Sequence, residues 1–317
     1  MRWGEKPYYS LDYYLKQNFG EKVYKVAIDG GMTCPNRDGT KGTRGCIFCS
    51  QGGSGDFAVK QTECDINQDI LKKLSVKEQI DKSIAFTQKN GKATGNKFIA
   101  YFQSYTNTYA PVDYLRSLYM EALSHPKVAA LSIGTRPDCL DEDVLELLSE
   151  CNKIKPVWVE LGLQTIHEDT ARFIRRGYEL PVFDKAVTNL RAIGIDVIVH
   201  VILGLPYETD DDIIETIHYL NKKDIQGIKL QLLHILKDTD LAEYIDKIKV
   251  YTEEEYVSLV CRCISELSPD IVVHRITGDG PKKLLLAPMW SANKRHVLNS
   301  IAHELKTTGI YQGKNLN

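Results

Sequence analysis

Six short apolar runs separated by longer amphipathic stretches constrain this 317-residue chain more than any other feature. The runs, at residues 23–29, 97–102, 129–134, 157–162, 197–203 and 227–233, are rich in Val, Ile and aromatic residues and end in glycine or polar turn residues. Helical patterns occupy 75–89, 111–124, 141–151, 169–174, 182–192 and 210–222. Asp141-Glu142-Asp143 and Asp210-Asp211-Asp212 put carboxylates where free helix amides favour anions, and Gly194 reads as a helix stop. Strand-then-helix units in series imply a parallel sheet with right-handed crossovers, buried on both faces. Six units are too few for a full eight-stranded barrel, so the fold class expected is α/β, with a partial (β/α)6 TIM-like barrel and a doubly wound sheet both open, and a C-terminal α+β extension. Its core spans 1–238 (1–22 an N-terminal extension, 23–238 the partial barrel), and 239–317 packs on the barrel. An open barrel and a doubly wound sheet both gather ligands at the C-terminal strand ends.

That rule gives the cysteines their meaning. Cys34 follows the first run through Gly30-Gly31-Met32-Thr33; eleven residues separate it from Cys46, and two separate Cys46 from Cys49. A C-x2-C pair on a tight loop turns both thiolates inward, and Cys34 adds a third from the same glycine- and Asn-rich segment. Three thiolates leave one iron of a [4Fe–4S] cubane open to a ligand. Two other readings stay open: a structural zinc site with Cys64 as fourth ligand, and three reduced thiols with no metal. Cys139, Cys151, Cys261 and Cys263 read as small buried hydrophobes.

Composition narrows the class of protein. Forty Lys and Arg against 42 Asp and Glu give a net charge of −2, so any nucleic-acid contact must come from a local patch. The N-terminus lacks the apolar core of a signal peptide, and residues 197–205 are too short and carry His200, so a soluble, cytoplasmic protein with no membrane association is expected. Eight cysteines in such a chain argue for metal or redox use rather than disulfides.

The motifs, taken in order, resemble the radical S-adenosylmethionine (SAM) superfamily, in the branch that includes the Elongator catalytic subunit, and more closely the YtqA/YhcC (MnmL-type) group. The resemblance covers nearly the whole chain. It rests on Cys34-x11-Cys46-Ile47-Phe48-Cys49, the run Tyr101-Phe102-Gln103-Ser104-Tyr105-Thr106-Asn107-Thr108-Tyr109, Gly134-Thr135-Arg136-Pro137-Asp138, Glu160-Leu161-Gly162-Leu163-Gln164-Thr165, Gly204-Leu205-Pro206-Tyr207-Glu208-Thr209 and Leu233-His234-Ile235-Leu236-Lys237. It implies a [4Fe–4S] cluster on Cys34, Cys46 and Cys49, with SAM as second cofactor.

It also implies roles for single residues. Phe48 lies against adenine. Gln103, Ser104 and Thr106 stand where the superfamily binds the methionine amine, although most members have Gly-Gly-Glu there and this chain does not. Thr135 follows the third strand, Gln164 meets the ribose, and His200 is a polar position near it. Arg176 reaches the methionine carboxylate, Gly204-Leu205 offers backbone to adenine, and Glu160 hydrogen-bonds within the site. Each has a plain structural alternative: a turn-shaping Gly204, a satisfied buried amide at Gln164, a solvated basic helix end at Arg175-Arg176.

The resemblance further implies a substrate, the tRNA wobble uridine, with 5-carboxymethylaminomethyl converted to 5-aminomethyl. A reductant such as flavodoxin or ferredoxin and a downstream tRNA methyltransferase would be partners. Arg37, Lys41, Arg44, Lys282-Lys283 and Lys294-Arg295-His296 are candidate phosphate contacts, with ordinary surface charge as the alternative; Arg275 and Lys294 are the candidates for substrate contact. Two competing functions remain: a radical SAM oxidoreductase acting on a small metabolite, resembling coproporphyrinogen dehydrogenase, and a non-enzymatic iron–sulfur or zinc protein that binds RNA or relays electrons.

Overall fold

The computed structural model describes residues 3–50, 53, 62–65, 70–89, 95–278 and 280–316, with the backbone alone for 62–65 and 70–73. Seven strands form one parallel sheet curled into a half-barrel. In spatial order they are β1 (Tyr24–Ile28), β2 (Phe98–Phe102), β3 (Val128–Thr135), β4 (Val157–Gln164), β5 (Asp196–Leu203), β6 (Gly227–Leu232) and β7 (Val272–Arg275). The six expected strands are all present, with ends shifted by no more than one or two residues. The seventh comes from the segment read as an extension, so the sheet runs on past residue 238.

The helices form where the sequence caps them. Helix α7 (Asp210–Asn221) opens with a capping box in which Thr209 and Asp212 bond reciprocally, and α8 (Glu253–Glu266) repeats it with Thr252 and Glu255. Helix α4 (Glu142–Ile154) has Glu142 and Asp143 in its first turn, but its N-cap Asp141 makes no side-chain cap bond. Gly194 sits at φ +75° after α6 (Leu180–Ala192), stopping it as expected. These helices bury apolar stripes against the convex face of the sheet in one large core.

The concave face is layered by strand periodicity, since alternate residues point inward. Near the strand N-termini, Ile99, Ala130, Trp158 and Ile198 make an apolar plug with Leu15 of α1 (Leu11–Phe19). Tyr9 and Ser10 run along the open edge of β7, where the Val273 amide donates to the Tyr9 carbonyl at 2.7 Å. Gln312, near the other end of the chain, ties this edge down: its side chain accepts from the Tyr9 amide at 2.8 Å and donates to the Ile271 carbonyl at 2.8 Å. An edge covered in this way is closed to further strand pairing. No helix among the described residues is long and apolar enough to cross a membrane.

Candidate active site

One strand step above the apolar plug, the barrel interior turns polar. Lys25, Tyr101, Ser132, Glu160, His200 and Lys229 all point inward from consecutive strands and converge on the Glu160 carboxylate. Glu160 accepts from both lysine ammonium groups, from Ser132 Oγ at 2.8 Å and from His200 Nε2 at 2.8 Å. Lys229 also donates to Tyr101 Oη at 3.3 Å. Burial pushes the Glu160 carboxyl up, but Lys229, Lys25 and His200 together hold it well below the usual range. Burial pulls the Lys229 ammonium down to about 7, helped by Lys25 and Arg275 and opposed by Glu160. Burial and Lys229 pull His200 down to about 4, so its imidazole stays neutral.

Above this floor lies a cavity of about 280 Å³, walled by the C-terminal strand ends and roofed by the cysteine loop. Cys34, Cys46 and Cys49 all line it as free thiols. The loop is docked by backbone bonds on both sides: the Ile47 amide donates to the Ile174 carbonyl at 3.1 Å, and the Leu241 amide to the Ile47 carbonyl at 2.9 Å. Buried Asn36 donates to the Arg175 carbonyl at 2.7 Å and to Cys46 Sγ at 3.4 Å. Arg37 donates to the carbonyls of Cys49 at 2.9 Å and Ser50 at 2.6 Å. Gly45 sits at φ +75°, and a Cβ there would meet the Arg37 guanidinium at 3.0 Å, so both backbone and space require glycine. Burial, with Cys49 beside it, pushes the Cys46 thiol up to about 12. A cation among the three sulfurs reverses that direction.

Most expected cofactor residues reach this cavity. Phe48, Gln103, Thr106, Thr135, Gln164 and His200 line it, as do Glu160 and Arg275. Gln164 ends β4 at φ +70°, and its Oε1 is buried with no hydrogen-bond partner among the described residues. Thr135 Oγ1 lies 2.5 Å from Thr108 Oγ1. Ser104 is buried beside the wall without lining it.

The other expected residues are held differently. Arg176 is fully buried with its guanidinium committed: Nε donates to the Tyr178 carbonyl at 3.0 Å, Nη1 to the Thr165 carbonyl at 2.6 Å and Nη2 to Glu168 at 2.9 Å. It pins the loop after β4 and at the same time lines the cavity. Gly204 and Leu205 do not line the cavity; Gly204, at φ +89°, lies under the Tyr251 ring, and Leu205 packs beneath the cysteine loop with Ile47. Lys294 starts α9 (Lys294–Thr307) and does not line the cavity. The side chain of Cys64, the fourth ligand of the zinc reading, lies outside the described residues.

Other cavity residues were not singled out from sequence: Tyr101, Arg136, Lys229 and Gln231. Arg136 grips Asp138 through two parallel bonds of 2.9 Å, and its charge faces Cys46 and Cys34. Lys229 had a visible signal, the one charge inside the largely apolar strand Gly-Ile-Lys-Leu-Gln-Leu. In a strand buried on both faces, such a charge needs a partner.

A parallel half-barrel with a three-cysteine loop over its C-terminal mouth defines a class of cofactor enzyme, and comparison with known proteins gives the same answer. Residues 38–220 match the Radical SAM superfamily and residues 225–307 the Radical_SAM C-terminal domain. The chain is 46% identical over 314 residues to the uncharacterized YtqA of Bacillus subtilis, covering 98% of this chain and 93% of that one. It is 35% identical over 283 residues to YhcC of Escherichia coli, covering 88% and 86%. This protein therefore belongs to the radical SAM superfamily, in the group of YtqA and YhcC. The archaeal Elp3 of Methanocaldococcus infernus shares the fold, with a TM-score of 0.66 at 17% identity over 92% of this chain and 64% of that protein. Members of the superfamily use a [4Fe–4S] cluster and SAM, and this chain is a radical SAM enzyme.

Proposed function

We propose that this enzyme modifies the wobble uridine of tRNA, converting a 5-carboxymethylaminomethyl group to 5-aminomethyl, with Cys34, Cys46 and Cys49 as the cluster ligands. The observation that carries the cofactor assignment is the placement of three thiols from one loop over a cavity whose wall holds Gln164 Oε1, buried with no hydrogen-bond partner among the described residues. When bound, the cluster supplies the electron that splits SAM into methionine and a 5′-deoxyadenosyl radical, which takes hydrogen from an unreactive carbon.

The chain's own residues position and shield. Phe48 covers the adenine, Gln164 meets the ribose, and Gln103, Thr106 and Thr135 surround the methionine end. Arg37 and Asn36 keep the loop carbonyls and Cys46 in place, and the apolar residues Ile174, Ile202 and Leu233 exclude water from the cavity.

The substrate rests on the resemblance to the YtqA/YhcC group, and the rim supports it. Arg44 is 74% exposed, and Lys282 and Lys283 are exposed beside Pro281 of the cavity wall. Tyr207 is 75% exposed, held by edge contact with Phe173. Exposed cations and an exposed aromatic face suit a single-stranded RNA loop.

The test is anaerobic incubation of reconstituted enzyme with SAM, dithionite and tRNA from a strain lacking it, following nucleosides and 5′-deoxyadenosine together. Expected is loss of carboxymethylaminomethyluridine with gain of aminomethyluridine. Deoxyadenosine formed while every wobble uridine stays unchanged favours the small-metabolite reading instead.

A further inference from the structure

The cysteine loop faces a row of carbonyl oxygens. Helix α5 (Glu168–Phe173) runs into a turn where Arg175 holds φ +59° and Gly177 φ +81°, and successive carbonyls of that turn meet the loop. The Ile174 carbonyl accepts from the Ile47 amide at 3.1 Å. The Arg175 carbonyl accepts from Asn36 Nδ2 at 2.7 Å and from Cys46 Sγ at 3.6 Å, and the Arg176 carbonyl accepts from Asn36 Nδ2 at 3.4 Å. An arginine in the left-handed region is strained, and such strain persists only where the surroundings hold it. As a thiol, Cys46 gives its proton to the Arg175 oxygen. As a thiolate on a metal it has no proton to give, and the negative end of that carbonyl dipole opposes its charge.

Asn36 stands between the two groups. It is 4% exposed, and its Nδ2 donates to Cys46 Sγ at 3.4 Å as well as to the carbonyls. Two carbonyl oxygens and a sulfur around one atom fix the orientation of the amide, because an oxygen in that place faces only acceptors. Gly177 makes the room: a Cβ there meets Asn36 Oδ1 at 2.7 Å. Arg136 also brings charge towards Cys46, but Asp138 grips its guanidinium through two bonds of 2.9 Å.

We propose that Asn36 is a positioning residue for the reduction step: its amide donates to Cys46 Sγ, shields that sulfur from the Arg175 carbonyl and so raises the reduction potential of the cluster. This rests on the reading that Cys34, Cys46 and Cys49 hold the cluster, and it names how one of the three sulfurs is tuned. One-electron reduction adds a negative charge that the thiolates share, so a donor to sulfur favours the reduced form.

The test is a redox titration of the reconstituted holoenzyme without SAM, read by the electron paramagnetic resonance of the reduced cluster, in wild type and Asn36→Leu. Leucine keeps the volume and removes the donor. The reduced-to-oxidised ratio of N36L at a fixed potential falls about tenfold, a midpoint lower by about 59 mV for one electron. An unchanged or higher midpoint in a variant with its full iron content overturns the proposal. If N36L assembles no cluster, wild-type protein labelled with 15N in its asparagine side chains decides. A 15N hyperfine coupling to the reduced cluster is then expected through the N–H···S contact, and its absence overturns the proposal. A wild-type chain that assembles no cluster overturns the ligand reading itself, and this proposal with it.

Discussion

Glu160 shows how much of this molecule depends on one side chain. It is buried, and two ammonium groups share its carboxylate. Glu160→Gln leaves buried Lys229 and half-buried Lys25 without that counter-ion, so unfolding free energy falls by roughly 3–5 kcal/mol in denaturant titration. His200 sets a pH dependence of known sign. Its folded pKa, about 4, lies below the ordinary 6.5, so the unfolded chain binds a proton that the native state refuses. Stability contributed by neutral His200 is therefore lost as pH falls from about 6.5 to about 4, by about 3 kcal/mol. His200→Gln flattens thermal stability across that window; an unchanged slope contradicts the assignment. Of this polar layer, Glu160 and His200 were legible as strand residues matching a family pattern, while Lys25 and Lys229 were not. The reason is distance along the chain: Lys25 lies 135 residues from Glu160 and Lys229 lies 69. A lone charge in an apolar strand signals a partner but does not say which. The local partners of Arg176, two carbonyls and Glu168, were not legible either, because its spacing from Gln164 speaks only for its place at the cavity wall.

At the scale of elements, the strand-to-loop junctions do the positioning. The six strands and their helices were legible because hydrophobic periodicity is local, and the cysteine loop because its spacing is local too. What each junction does was not. Gly204, after β5, holds φ +89° with a virtual Cβ 2.9 Å from the Tyr251 ring, which makes it a packing glycine. Gly204→Ala lowers stability by about 1–3 kcal/mol, readable as a lower Tm, with little effect on SAM affinity. Gly162 on β4 behaves in the opposite way. A Cβ there meets Gln164 Nε2, the tip of a flexible side chain, at 2.8 Å. Gly162→Ala therefore keeps the fold within about 1 kcal/mol but displaces the Gln164 amide, and SAM binding weakens by about tenfold in equilibrium dialysis. Equal affinity in the variant contradicts a cofactor role for Gln164.

The whole molecule is a half-barrel whose two chain ends share one edge. The seventh strand was legible only as part of an appended α+β segment, because a parallel partner 45 residues away cannot be read from periodicity: Val272 pairs with Gly227. That strand brings Arg275 to the cavity beside Lys229, so the C-terminal segment completes the site as well as the sheet. The central claim is that three thiolates at the barrel mouth hold a cluster with one iron open to SAM. The most direct measurement is anaerobic reconstitution of the full chain with iron and sulfide, followed by reduction with dithionite in the presence of SAM. The account predicts about four iron and four sulfide per chain, with 5′-deoxyadenosine and methionine formed together, all lost in Cys46→Ala. A zinc ion held by four protein ligands, or an iron-loaded protein that leaves SAM intact, contradicts it.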